Sequence, residues 1–260
     1  MNLFSVKFPV ISMIHLLPLP GSPLFTDVQS VIHQAFHDYH ALREGGVDGV
    51  LIENFGDAPF VKDVVCPHVI TWMTRIAMSL EIDIPFGINV LRNDAISALA
   101  VAHATGAHFI RCNILTGAMV TDQGVIEGKS AEILRYRSLL KCDAKILADV
   151  HVKHAVPLVA QPIERVARDT AYRGLADGLI VTGAETGDPP TSDDVKTVKE
   201  AVPGKPLLAG SGITHQNVEP VTKLSDGCIV GKTFKKDGRM ENPVDRTRVK
   251  SFMQKVKELL

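Results

Sequence analysis

The run KILADVHVKHA, residues 145–155, changes character halfway. Its first part, Ile146 to Val150, is almost wholly apolar and has the length of a strand buried on both faces. Its second part turns polar within a few positions, through Asp149, His151, Lys153 and His154. A strand this apolar belongs inside a sheet, and its polar exit is where chemistry would sit. Which sheet it is depends on how often the pattern returns.

Seven further runs of the same kind punctuate the chain: PVISMIHL (9–16), GVLIEN (49–54), PFGINV (85–90), HFIRCNI (108–114), GLIVTG (178–183), PLLAGSG (206–212) and GCIVGKTF (227–234). Helical stripes with recognisable starts and stops lie between them. Thr26 or Asp27 opens a stripe through Val28, Val31, Ile32, Ala35, Tyr39 and Leu42, closed by Gly45-Gly46. Asp94 opens another that Gly106 closes, Ser130 a third, Pro162 a fourth that Gly174 closes, Ser192 a fifth and Pro243 the last. Two aspartates, Asp193 and Asp194, suit the positive end of the fifth. Eight strand–helix units in 260 residues predict an α/β protein: a single (β/α)8 barrel spanning residues 1–260. The competing arrangement is an open doubly wound sheet, but no G-x-G-x-x-G follows the first run. The longest non-periodic stretch, 115–129, reads as a lid or binding loop, and KKDGRM (235–240) as a small turn.

Composition narrows the class of function. There are 28 basic and 29 acidic residues, so no basic excess points to nucleic acid. The apolar runs are too short for a membrane span, and the N-terminus lacks the basic start and small-residue cleavage site of a signal peptide. Four scattered cysteines form no C-x-x-C pair, which suits buried thiols in a reducing cytoplasm. A homo-oligomer is expected, because barrels often pair through their helices.

In such a barrel the active site lies at the C-terminal ends of the strands. Polar residues gather there in this sequence. His15 ends the first run, Glu53 and Asn54 the second, and Asn89 the third. Arg111 and Asn113 lie on the fourth, Asp149 and His151 end the fifth, and Thr182 and Gly183 end the sixth. Residues two apart share a face of a strand, so Asp149, His151 and Lys153 point together if the strand extends that far, while His154 points away. On the seventh and eighth runs, Gly210, Ser211, Gly212, Gly231 and Lys232 form a phosphate-cradle pattern: glycines admit backbone N–H groups to the oxygens, and Ser211 and Lys232 add a hydroxyl and a charge. Asp149 and His151 are the expected acid/base pair, with Glu53 as the other candidate base and Lys153 as a candidate Schiff-base amine. No cofactor is indicated. A divalent metal on Asp149, His151, Glu53 and His15 stays open, without the strength of an H-E-x-x-H motif. His33, His37 and His40 have helical spacing but flank the first helix's apolar stripe, away from the strand ends.

Five longer stretches, MIHLLPLPGSP (13–23), ENFGDAPF (53–60), GINVLRND (87–94), ILADVHVKHA (146–155) and VTGAETGDPP (181–190), together resemble the BtpA/SgcQ family over about residues 8 to 235. The resemblance implies a TIM barrel close to the phosphate-binding barrels. That family takes its name from a factor needed for photosystem I accumulation, and it carries no established reaction to transfer. Residues and resemblance together lead to the expectation of a cytoplasmic enzyme acting on a phosphorylated sugar or nucleoside-like metabolite, as a lyase, isomerase or nucleosidase. The alternative is a ligand-binding assembly or regulatory factor. That alternative predicts an exposed apolar patch.

Overall fold

The computed structural model describes residue 4 and residues 6–183 and 185–260; positions 1–3, 5 and 184 lie outside the described residues. All eight apolar runs become parallel strands of one closed barrel. They are β1 (Val10–His15), β2 (Gly49–Glu53), β3 (Phe86–Asn89), β4 (Phe109–Cys112), β7 (Lys145–Asp149), β9 (Gly178–Thr182), β10 (Leu207–Gly210) and β11 (Gly227–Val230), with β1 pairing both β2 and β11 to close the ring. Helices α1 (Val28–Gly45), α2 (Pro67–Ser79), α3 (Ala95–Thr105), α4 (Ser130–Leu140), α5 (Ile163–Arg168), α6 (Ser192–Ala201), α7 (Val218–Leu224) and α8 (Arg246–Leu259) follow the barrel strands in turn. No helix among the described residues is long and apolar enough to cross a membrane.

The predicted helix starts are largely the observed ones. The Asp27 carboxylate accepts the Ser30 N–H at 2.8 Å to cap α1, and Asp94 accepts the Ser97 N–H at 2.9 Å to cap α3. The cap of α6 is Thr191, one residue before the expected Ser192. Four helices have no side-chain cap: α2, where Cys66 precedes Pro67; α4, where the expected Ser130 is the first helical residue behind Lys129; α5, which follows Pro162; and α7, seven residues long with Pro220 in its first turn.

The predicted loop at 115–129 has structure of its own. Strands β5 (Ala118–Thr121) and β6 (Gly124–Glu127) form an antiparallel hairpin, and β8 (Ala155–Pro157), from the exit of β7, joins its other edge. One face of this small sheet buries Met119 and Ile126 against Ile114 and Val152. The other exposes Val120, Val125 and Val156, with Leu158 and Val159 beside them. Each strand is only three or four residues long, too short to show a period against a turn-rich background.

Two apolar sets divide the strands by parity. The outward set packs beneath the helices as the main core. The inward set, Ile11, Met13, Leu51, Phe109, Leu147, Ile180, Leu208 and Ile229, fills the barrel. Gly87 completes that layer by having no side chain: a Cβ there would lie 2.3 Å from the Phe109 ring.

Helix α1 and the segment after β11 are locked together by a buried ion pair. Lys235, in the predicted 235–240 turn, is 1% exposed and its Nζ donates to Asp38 Oδ2 of α1 at 2.7 Å. The other oxygen of Asp38 accepts the Val244 N–H at 2.7 Å. Removing one partner strands a buried charge, so Asp38→Ala should cost about 3–5 kcal/mol. Urea denaturation checks this, and the double variant Asp38→Leu/Lys235→Met should recover most of the loss.

Candidate functional site

The alternation that fills the barrel also builds its mouth. Two residues beyond the inward set, in strand order, stand His15, Glu53, Asn89, Arg111, Asp149, Thr182, Gly210 and Gly231. One residue from every strand is thus presented to the same space at the C-terminal end. Every member of this layer is a sequence-predicted site residue, and six of the eight bear polar side chains.

The polar side chains bond across the ring in two groups. Arg111 lies flat against Asp149, with Nε donating to Oδ1 at 3.0 Å and Nη2 to Oδ2 at 2.8 Å. Asn113 Nδ2 donates to the same Oδ2 at 3.2 Å, while its Oδ1 is buried with no partner. Burial opposes the Arg111 charge, but Asp149 and Glu53 outweigh it and hold its pKa above the ordinary arginine value. In the second group, the amide of Asn89 donates to Glu53 Oε2 at 2.5 Å. The other carboxylate oxygen lies 3.9 Å from His15 Nε2. His15 Nδ1 is buried and unpartnered, and the ring packs 4.7 Å from that of Phe55, centroid to centroid.

The expected Asp149–His151 pair does not form. Strand β7 ends at Asp149, so the two-residue period does not carry on to His151. Both Asp149 oxygens are taken by Arg111 and Asn113, and the charge that acts on His151 is Asp194 of α6. The His151 carbonyl accepts the Thr182 hydroxyl at 3.0 Å, and its Nε2 is buried without a partner. Lys153 does reach the mouth. It lines a cavity of about 40 Å³ with His15, Arg111, Ser211, Gly231 and Lys232. Burial, then the charge of Arg111, pushes its amine pKa down. His154 turns outward, and its Nε2 lies 2.8 Å from the Thr186 hydroxyl at the rim.

Several predicted binding residues are occupied by the loops themselves. Asn54 ties two loops together: its Oδ1 accepts the Leu91 N–H at 2.7 Å and its Nδ2 donates to Asp57 at 3.0 Å. Gly183 and Gly212 admit the loop after β9, where a Cβ would meet the Asp188 carbonyl oxygen at 2.3 Å or the Pro189 nitrogen at 2.2 Å. The Ser211 hydroxyl accepts the Gly187 N–H at 3.1 Å and faces the Glu185 carbonyl at 3.3 Å. Its predicted role as a phosphate hydroxyl therefore gives way to fastening this loop. The backbone N–H groups of Gly231 and Lys232 make no hydrogen bond among the described residues.

The open metal reading finds no gathered ligands: among the described residues no three His, Cys, Asp or Glu side chains converge on one point. Asp149 is committed to Arg111, and His151 stands apart from His15 and Glu53. His33 and His37 are exposed on α1, and His40 packs on Phe36, as their helix-flank reading expects. Arg92 is the residue that sequence reasoning passed over. It is 5% exposed, and its Nη2 donates to the Lys153 carbonyl at 2.6 Å. It lies beyond the end of β3, where parity gives no direction.

Comparison with known proteins places this geometry among relatives. The model of the BtpA family matches residues 6–258. The photosystem I biogenesis protein BtpA of Synechocystis is 46% identical over 258 residues, covering 98% of this chain and 90% of that protein. An uncharacterized protein of Pyrococcus furiosus is 43% identical, covering 98% and 97%. The sgc region protein SgcQ of Escherichia coli is 40% identical, covering 95% and 93%. Among solved structures, N-(5'-phosphoribosyl)anthranilate isomerase from Pyrococcus furiosus has a TM-score of 0.57 at 13% identity, covering 96% of this chain and 99% of that one. Tryptophan synthase from Mycobacterium tuberculosis has a TM-score of 0.60 at 12% identity, covering 97% and 92%. At such identities the likeness is one of fold.

The buried imidazole of His15 makes the site sensitive to acid. Burial, then the positive charges of Lys235, Lys153 and Arg111, hold its pKa well below the ordinary histidine value. Below pH about 6.5 the unfolded chain takes up this proton before the folded one does, so stability falls as pH falls towards the folded pKa. Replacing His15 with Gln should flatten the decline in urea midpoint between pH about 6.5 and about 5. An unchanged slope would exclude a neutral His15.

Proposed function

We propose, from the premise that this chain belongs to the BtpA family, that it is a barrel enzyme acting on a phosphorylated sugar or nucleoside-like metabolite by acid–base chemistry at the barrel mouth. The observation that carries this reading is Glu53. Its carboxylate is buried, one oxygen is fixed by Asn89, and the other faces His15, whose ring lines the mouth cavity. A carboxylate held this way has one direction in which to take a proton.

The other roles follow from position. The unbonded N–H groups of Gly231 and Lys232, with the Lys232 ammonium at the rim, would hold the phosphate. Glu53 would remove the proton, and the neutral His15 ring beside it would pass a proton back to another atom of the substrate. The Arg111 and Lys153 charges would stabilise the negative charge that develops as Glu53 works. Asp149 would keep Arg111 in its orientation rather than exchange protons itself. If the substrate carries a ketone, the depressed pKa of Lys153 also suits it to imine formation, with water leaving as the C=N bond forms. Isomerase, lyase and nucleosidase chemistry all draw on this set. Enzymes with this barrel, including the isomerase above, show that the fold supports such work.

A second reading has its own observation. The small sheet exposes Val120, Val125 and Val156 on one face, which an assembly factor would use to bind a partner, and the Synechocystis relative is named for photosystem I biogenesis.

Incubating the protein with a panel of phosphorylated sugars and nucleosides, followed by phosphorus NMR, separates the two. Turnover of at least one compound is expected. Glu53→Gln should lower kcat by roughly 10²–10⁴-fold while binding of that compound changes little. Compounds that bind without turning over would favour the second reading.

A further inference from the structure

Buried cations persist beside anions. Arg92, Arg111 and Lys153 stand within electrostatic reach of one another and of Asp149 and Glu53, and Asp122, exposed on the turn between β5 and β6, acts on Arg92 as well without forming an ion pair among the described residues. Asp149 is used up on Arg111 and Asn113, and Glu53 on Asn89. Arg111 is therefore satisfied.

Arg92 is not. Its guanidinium has one hydrogen bond among the described residues, to the Lys153 carbonyl, and it takes part in none of the ion pairs among them. The rest of its planar fork is unused. Lys153, whose carbonyl it holds, likewise has no ion-pair partner among the described residues. Burial comes first, and the neighbouring positive charge of Arg111 adds to it, in holding the pKa of both groups below their ordinary values.

We infer that Arg92, together with Lys153, forms a second anion subsite in the mouth and that its ligand is a carboxylate. Arg92 has donors to spare, and a guanidinium edge matches a carboxylate in two parallel hydrogen bonds. Arg92 follows β3, three strands round the ring from Gly231 and Lys232 after β11. A substrate spanning both is a phosphorylated acid, with its phosphate at the glycines and its carboxylate at Arg92. For its phosphate end alone this inference rests on the function proposed above.

Calorimetric titration with matched probes tests it. The pairs are 3-phosphoglycerate against glycerol 3-phosphate, and 6-phosphogluconate against sorbitol 6-phosphate; malonate serves as a carboxylate without phosphate. In at least one pair the acid should bind roughly tenfold tighter than its alcohol. Arg92→Gln should erase that difference and leave the alcohol's affinity unchanged, and Arg92→Lys should restore part of it. The ligand-free Arg92→Gln protein should melt at the wild-type temperature or a few degrees higher, because it loses a buried charge that no ion pair holds; a residue with a merely structural role would lower it. Equal affinities in both pairs, unaffected by Arg92→Gln, would overturn the subsite and leave the phosphate reading standing. Malonate binding that needs Arg92, with no phosphate compound bound, would uphold the subsite and overturn the phosphate reading. No binding of any probe would overturn both.

Discussion

A closed ring of strands with a two-residue period admits one assignment of faces. Once Leu147 points into the barrel, Asp149 must as well, and Ile146 and Ala148 must face the helices. A slip of one residue in any strand would turn its inward apolar residue out and break the pairing on both sides, because a closed barrel has no edge to absorb the error. The mouth is therefore a by-product of the core. The side chains that fill the interior decide which residues meet above it, and Gly87 shows how closely that filling is matched, since the Phe109 ring occupies the space its side chain would take.

Above this layer polar side chains fasten several of the loops, beside the apolar cluster under the small sheet. Asn54 joins the loops after β2 and β3, Thr182 ties the end of β9 to the loop after β7, and Ser211 joins the loops after β9 and β10. Each bond is worth about 1 kcal/mol on balance, and breaking one leaves a buried group unpaired at greater cost. The Arg111–Asp149 pair acts differently. A buried ion pair adds little net stability, but its fork geometry fixes the charge that a ligand meets. Stability thus lies in the apolar layers, and orientation lies in the polar ones.

The fold was legible because both of its signals are local. Strand-sized apolar runs and capped helical stripes each lie within a dozen residues of sequence, and all eight runs became barrel strands. The polar ends of those runs held His15, Glu53, Asn89, Arg111, Asp149 and Thr182, and the glycine pattern on the last two held Gly210 and Gly231. What could not be read lies where local rules stop. His151 and Lys153 stand past the end of β7, so alternation misplaced the first and placed the second for the wrong reason. Arg92 lies past β3 in the same way, and its isolation depends on where every carboxylate of the mouth is spent. The hairpin at 118–127 gains its strands by pairing with residues 155–157, a partner that no local window contains. Asp38 and Lys235 are 197 positions apart, and nothing in either neighbourhood announces the other.

That last pair governs the order in which the molecule can be made. A ribosome delivers the chain from its N-terminal side, and β1 waits for its second neighbour, β11, until position 230 has emerged. Until then the barrel is an open sheet with two live edges and a buried-to-be aspartate still in water. Closure of the ring and arrival of Lys235 at Asp38 then fall almost together. The stretch from β11 to Lys235 therefore works as a latch, and a nascent protein without it exposes the edges and apolar surface on which chaperones act.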